Sequence, residues 1–386
     1  MSVALRGWPS GRGAQGRRAL IAAVAVTLLG SWLPSAAQTF VAPAARRPLP
    51  LPPGLASVWR VDGRKLDDQA SAWALAAFST DGMLVGVSDD SGTRIYRAND
   101  GRLLRTLPAP FSTGQFAFSL AISSTGMVAL GRVGGLELHE VDGAGEPLKY
   151  HCGGVCGPVS ALAFSPNGAW LAYQAPRGMR DPTPGIVNVV DLRKHARVAE
   201  LEASATRAGV MFAADSRTLF AANVTRIDDS GTFGLRGWNG AADWRRVRDE
   251  PGAQVPSGSI GPFAFDERLA AYSRDGRLEL RELASGALVW TVPLVPPGLD
   301  AVVDDAPMRL ELVAFARRGD LVLSYESPAS GSAPGTLVFR RMSDGATIAL
   351  YDVAGVSALT VAPDGASFVY STGAGRTYTV MARVPR

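Results

Sequence analysis

The chain has 386 residues, 47% of them hydrophobic and 19% charged, with 43 glycines and 26 prolines. This composition excludes a disordered polyelectrolyte and fits many short buried segments joined by frequent turns. The formal charge of +4 is concentrated at one end, because Arg6, Arg12, Arg17 and Arg18 stand in the first 37 residues without a single acid. The remainder is close to neutral and offers no broad electrostatic footprint for a phosphate backbone, so nucleic acid is not an expected partner unless a local basic patch supplies one.

Residues 1–37 read as a signal peptide. After the basic start, Ala19 to Leu29 is an apolar run, and Ser35-Ala36-Ala37 places small residues where a signal peptidase reads. The run falls short of the roughly 20 residues a membrane-crossing helix needs, so cleavage before Gln38 is expected, with an uncleaved anchor as the alternative. Arg17-Arg18-Ala19-Leu20-Ile21 also matches part of the twin-arginine export pattern, although an ordinary basic leader that happens to hold adjacent arginines is the preferred reading. The chain's G-x-G-x-x-G, Gly11 to Gly16, lies in this leader with no strand before it and carries no nucleotide-binding expectation. Residues 38–53 form a Pro-rich linker, since proline at this density lacks the donors a sheet needs and favours an extended conformation. It serves as a spacer or as a docking segment.

Beyond the linker, apolar runs flank a tight turn seven times, at Ser79-Thr80-Asp81-Gly82, Ser123-Ser124-Thr125-Gly126, Ser165-Pro166-Asn167-Gly168, Ala214-Asp215-Ser216-Arg217, Phe265-Asp266-Glu267-Arg268, Ala316-Arg317-Arg318-Gly319 and Ala362-Pro363-Asp364-Gly365. A period of about 42 to 52 residues is that of a four-stranded propeller blade. The third unit shows the quartet most cleanly. Val159 to Ser165 and Ala169 to Gln174 are apolar throughout, Ile186 to Asp191 is a β-branched third strand, and Arg197 to Glu202 alternates as an outer strand does. The last unit has strands at Val356 to Ala362, Ala366 to Ser371 and Arg376 to Arg383, and then ends. Ala56 to Val61 is an orphan strand upstream of the first unit, and it would complete the last blade and leave no interior edge unpaired. The predicted fold is all-β: a seven-bladed β-propeller over residues 54–386, with four-stranded antiparallel blades and the last one closed by the N-terminal strand.

Few segments carry reactive chemistry. His151-Cys152-Gly153-Gly154-Val155-Cys156 holds both cysteines of the chain in the connection between the second and third units. In an oxidising compartment Cys152 and Cys156 are candidates for a disulfide. Two other readings stay open, free or redox-active thiols and a soft-metal site of His151, Cys152 and Cys156, although a structural zinc normally takes four ligands. His139 and His195 fall on or beside outer-strand segments and are expected to be solvated. Asp89-Asp90, Asp228-Asp229 and Asp300 with Asp304-Asp305 offer oxygens to calcium but lack the spacing of an EF-hand, so solvated turns are the expectation. Ser257-Gly258-Ser259-Ile260-Gly261 lacks the first glycine of a nucleophile elbow. Trp238, Trp244, Arg245, Arg246 and Arg248 crowd one segment with the residue types that anchor protein interfaces; the competing reading packs the tryptophans between blades and leaves the arginines in water.

Ala77 to Gly82, Ala163 to Gly168 and Val361 to Gly365 resemble the repeats of bacterial export-type WD40-like (YVTN/WD40-type) propellers, over nearly the whole of residues 54–386. The Gly-His and Trp-Asp pairs of the eukaryotic pattern are absent. One unit, Leu283 to Trp290, is similar instead to the tryptophan-docking repeat of quinoprotein-like propellers. The expectation is an exported, periplasmic or secreted, non-enzymatic scaffold that binds a protein of the cell envelope and needs no cofactor. The alternative is an enzyme of lactonase or quinoprotein dehydrogenase type with its pocket at the central channel.

Overall fold

The computed structural model describes residues 52–385 apart from 66–73, 90, 109–116, 152–156, 176–185, 203–208, 228–229, 256–262, 295–306, 317–319, 330–333 and 373–375, with backbone alone at 63–65, 223–227, 230–234, 249–255 and 376–377. All of these residues belong to one compact unit, Ala44–Arg386. The described secondary structure is strand apart from a single 3-10 turn at Gly240–Ala242.

A first strand, β1 (Ser57–Lys65), precedes six consecutive meanders. Blade 1 is β2 (Leu75–Phe78), β3 (Leu84–Asp89), β4 (Gly92–Arg97) and β5 (Leu103–Pro108). Blade 2 is β6 (Ser119–Ile122), β7 (Met127–Arg132), β8 (Gly135–Glu140) and β9 (Leu148–His151). Blade 3 is β10 (Ala161–Phe164), β11 (Trp170–Ala175), β12 (Ile186–Asp191) and β13 (Ala196–Glu202). Blade 4 is β14 (Val210–Phe212), β15 (Thr218–Ile227), β16 (Ser230–Asn239) and β17 (Arg245–Val255). Blade 5 is β18 (Phe263–Phe265), β19 (Leu269–Arg274), β20 (Arg277–Glu282) and β21 (Leu288–Pro293). Blade 6 is β22 (Met308–Ala316), β23 (Leu321–Pro328), β24 (Gly335–Arg341) and β25 (Thr347–Val353). Blade 7 is β26 (Val356–Val361), β27 (Ser367–Thr372) and β28 (Arg376–Arg383), and its outer strand is β1. The pairing of Trp59 with Met381 and Arg60 with Val380 confirms the strand exchange expected from the missing seventh quartet.

Seven apolar clusters hold the ring, one at each junction. Between blades 2 and 3, for example, Leu136 and Leu138 of β8 meet Phe164, Leu171 and Tyr173. Between blades 6 and 7, Phe339 of β24 meets Phe368 of β27 edge-on at 5.2 Å. Middle strands are therefore buried on both faces, which is why they read as apolar runs and not as alternations. Outer strands bury one side only, and β5 and β13 alternate accordingly.

The recurrent turn has a side-chain template. Ser165 Oγ accepts the Trp170 N–H at 2.9 Å and donates to Asn167 Oδ1 at 2.8 Å, while Gly168 takes the left-handed φ of 69° that lets the chain reverse. Ser79 with Asp81 repeats the arrangement in blade 1. Neighbouring turns are also stitched together: Thr80 Oγ1 accepts the Ser124 N–H at 2.9 Å, Ser124 Oγ donates to the Pro166 carbonyl at 3.2 Å, and the Asn167 N–H donates to Ser216 Oγ at 3.0 Å. In a four-stranded meander the first and third turns share one face of the ring.

Candidate functional site

On the short-turn face, where blades 6, 7 and 1 meet, a groove of about 660 Å³ opens beside the strand exchange. Its volume lies in the range of ligand-binding clefts. Val58 from the start of β1, Met83 from the first turn of blade 1, Leu321 from β23, and Met381, Val384 and Pro385 from the end of the chain give it an apolar wall. Met83 is 57% exposed and Val58 37%, so part of this wall faces solvent instead of completing the core.

Four polar side chains interrupt the wall: Asn99, Asp364, Ser367 and Arg383. The Asp364 carboxylate caps its own turn, with Oδ1 accepting the Ala366 N–H at 2.9 Å. Arg383 is anchored by its backbone, whose N–H donates to the Ala56 carbonyl at 2.9 Å, while its side chain is exposed and makes no ion pair among the described residues. The groove thus holds a cation and an anion that do not neutralise each other. It has the chemistry of recognition, an apolar surface flanked by separated charges. Among the described residues no three His, Cys, Asp or Glu side chains gather as metal ligands would.

The groove is bordered by a docked tryptophan. Trp59, on β1, donates from Nε1 to the Ala98 carbonyl of blade 1 at 2.7 Å. Trp290, on β21, does the same to the Met342 carbonyl of blade 6 at 2.7 Å. The tryptophan-docking likeness seen at Leu283 to Trp290 therefore has a second instance at the ring closure, where the sequence pattern is split between the two ends of the chain.

Other sequence candidates are distributed differently. Trp238 and Trp244 are buried at the junction of blades 3 and 4, where Trp244 meets Trp170 edge-on at 5.3 Å. They are core residues: Trp238 lies on β16 and the 3-10 turn after it carries Trp244 against blade 3, so of the interface candidates only the arginines reach the surface. Arg245 and Arg246 are exposed at the start of β17, and Arg248 reaches across to blade 5, donating to the Glu267 carbonyl at 2.7 Å. His151 ends β9 in an exposed position, and Cys152 and Cys156 lie outside the described residues. Asp89 is buried, pairs with Arg94 and accepts the Ser91 N–H at 2.9 Å. Asp90, Asp228, Asp229, Asp300, Asp304 and Asp305 lie outside the described residues.

His139 departs from expectation. It sits on β8, a third strand, with its side chain only 13% exposed and Nε2 3.7 Å from Glu137 Oε2. His139 and then Arg132, at 3.2 Å, hold the Glu137 carboxyl down to about 2 against the opposing effect of burial. A fully buried ion pair lies in blade 6. Arg340 forks onto Glu326, with Nη2 at 3.2 Å from Oε2, and donates to Ser324 Oγ at 2.9 Å. All three are almost fully buried and mutually satisfied, the arrangement in which a buried charge is tolerated.

Sequence patterns did not single out Met83, Asn99, Asp364 or Arg383. Met83 and Asn99 stand in turns of blade 1 and Asp364 and Arg383 in blade 7, at opposite ends of the chain, and only the ring closure brings them together.

No family model and no curated protein matches the chain. Solved structures do. A chain of the crystal structure of the mitotic checkpoint complex is 15% identical, with a TM-score of 0.60, over 89% of this chain and 97% of its own. The structure of U3-55K is 17% identical, also with a TM-score of 0.60, over 85% of this chain and 99% of its own. At these identities the likeness is one of fold. The chain is a seven-bladed β-propeller.

Proposed function

We propose that the protein is an exported, non-enzymatic binding platform for another protein of the bacterial cell envelope, acting in the periplasm or outside the cell. The observation that carries this reading is the groove at the strand exchange, which presents apolar side chains and the separated charges of Arg383 and Asp364. The leader at residues 1–37 supports export. The resemblance of Ala77 to Gly82, Ala163 to Gly168 and Val361 to Gly365 to bacterial export-type repeats supports an envelope setting. Among the described residues no helix is long and apolar enough to cross a membrane.

The test is affinity capture from the envelope fraction of the native host, followed by mass spectrometry of the retained proteins. A protein held by the wild-type propeller at stoichiometric level is expected, and none would remove the reading. Amino-terminal sequencing of the mature protein is expected to begin at Gln38. The two docked tryptophans favour the quinoprotein-like alternative in one respect, and cofactor absorbance in protein purified from its host would promote it.

A further inference from the structure

We propose that the groove between Val58, Met83 and Met381 seats an extended peptide segment of a protein partner, with aliphatic anchors on the apolar wall and a carboxylate paired to Arg383. The proposal deepens the platform reading and rests on it. Charge complementarity selects the partner. Arg383 makes no ion pair among the described residues, and Asp364, the acid that shares its groove, has Oδ1 committed to the Ala366 N–H. An incoming carboxylate would neutralise the guanidinium, and the remaining Asp364 oxygen would accept a backbone N–H.

The shape of the surroundings selects an extended segment. β1 is the outer strand of blade 7 and is paired on one side alone, with β28, so the groove borders an open sheet edge at Val58. Such an edge suits strand addition, in which main-chain bonds give affinity and alternate side chains give specificity. Val58 and Met83, exposed large hydrophobic residues, both line the groove, and exposed apolar surface of this kind marks interaction sites.

The experiment uses two fluorescein-labelled peptide pools, X-Leu-Val-Leu-Asp-X and X-Leu-Val-Leu-Lys-X with blocked ends, titrated by anisotropy against the mature protein. The aspartate pool is expected to bind saturably and about tenfold more tightly than the lysine pool, the size of effect a single well-placed charge pair gives. Arg383→Glu should reverse that preference, and Met83→Asp should weaken both pools by about tenfold or more. Both side chains are exposed, so thermal melts of the two variants should match the wild type. Absence of saturable binding, or a preference unchanged by Arg383→Glu, overturns the proposal. The same variants separate it from the broader reading. If the wild type and Met83→Asp retain the same envelope protein, the groove is not the seat and the platform stands; if the wild type retains none, the platform falls whatever the peptides do.

Discussion

The junction between blades 5 and 6 and the junction between blades 7 and 1 are built from the same parts, although one lies within continuous chain and the other joins its two ends. In both, the tryptophan is the third residue of an outer strand, Trp290 on β21 and Trp59 on β1. In both, it donates to a carbonyl just after the third strand of the next blade and packs on a left-handed glycine, Gly345 at φ 73° or Gly101 at φ 69°. The turn beneath is pinned alike, by Arg341 to Asp344 at 2.6 Å and by Arg97 to Asp100 at 3.1 Å. Ring closure is therefore made with an ordinary junction and not with a special fastening. What differs is connectivity: β21 reaches blade 5 through a short turn, whereas β1 must find β28 across the length of the chain.

That difference predicts a graded set of effects. Deleting residues 54–65 removes one strand of blade 7, the Trp59 anchor and part of the groove wall, and should abolish a single cooperative thermal transition in calorimetry. A variant that melts like the wild type would show that β1 is not what closes the ring. Next, Trp59→Ala and Trp290→Ala should each cost about 3–5 kcal/mol in denaturant titrations, as truncation of a large buried aromatic does. The two values should agree if the junctions are equivalent in energy. Hydrogen exchange should nevertheless separate them, since Trp59→Ala should open β1 locally while β21 stays protected in either variant.

Smaller effects refine the comparison. At Gly101 and Gly345 an added Cβ would lie 2.8 and 2.9 Å from the indole ring as well as in a strained φ, so Gly101→Ala and Gly345→Ala should each destabilise by about 1–3 kcal/mol. Gly276, at φ 70° with open space around its Cβ position, is the control. Its alanine variant bears the backbone strain alone and should cost about 1 kcal/mol. Glu137 provides a contrast away from either junction. Its carboxyl titrates near 2 in the folded state against an ordinary value of 4.5, so its stabilising contribution is complete above the ordinary value and is lost as pH falls toward about 2. Glu137→Gln should flatten that part of the acid-stability curve and leave stability near pH 7 lower than the wild type.

Much of the architecture was legible in the residues. The Ser-x-Asp/Asn-Gly turns announce themselves because each serine and carboxylate satisfies backbone donors within its own turn, a purely local chemistry. The third blade's strands were placed within a few residues of β10 to β13, and the role of Ala56 to Val61 followed from a missing quartet at the far end. Trp238 and Trp244 show where this reading reached its limit. Trp and Arg in a crowded stretch suit an interface and a core equally well, and the choice depended on the turn at Gly240–Ala242 that carries Trp244 inward. His139 was misplaced for a related reason, since whether a polar residue on a strand meets water depends on the blade next door.

Repeat length, turn chemistry and apolar runs are properties of neighbouring residues, so the sequence by itself determined the number of blades, their strand order and the need for an N-terminal strand in the last one. The groove is a property of residues nearly 330 positions apart. Val58, Met83, Asp364 and Arg383 become one surface only when β1 pairs with β28 and blade 7 packs on blade 1. Tertiary structure alone decided that site, because burial and charge pairing are set by what the folded ring brings alongside each side chain.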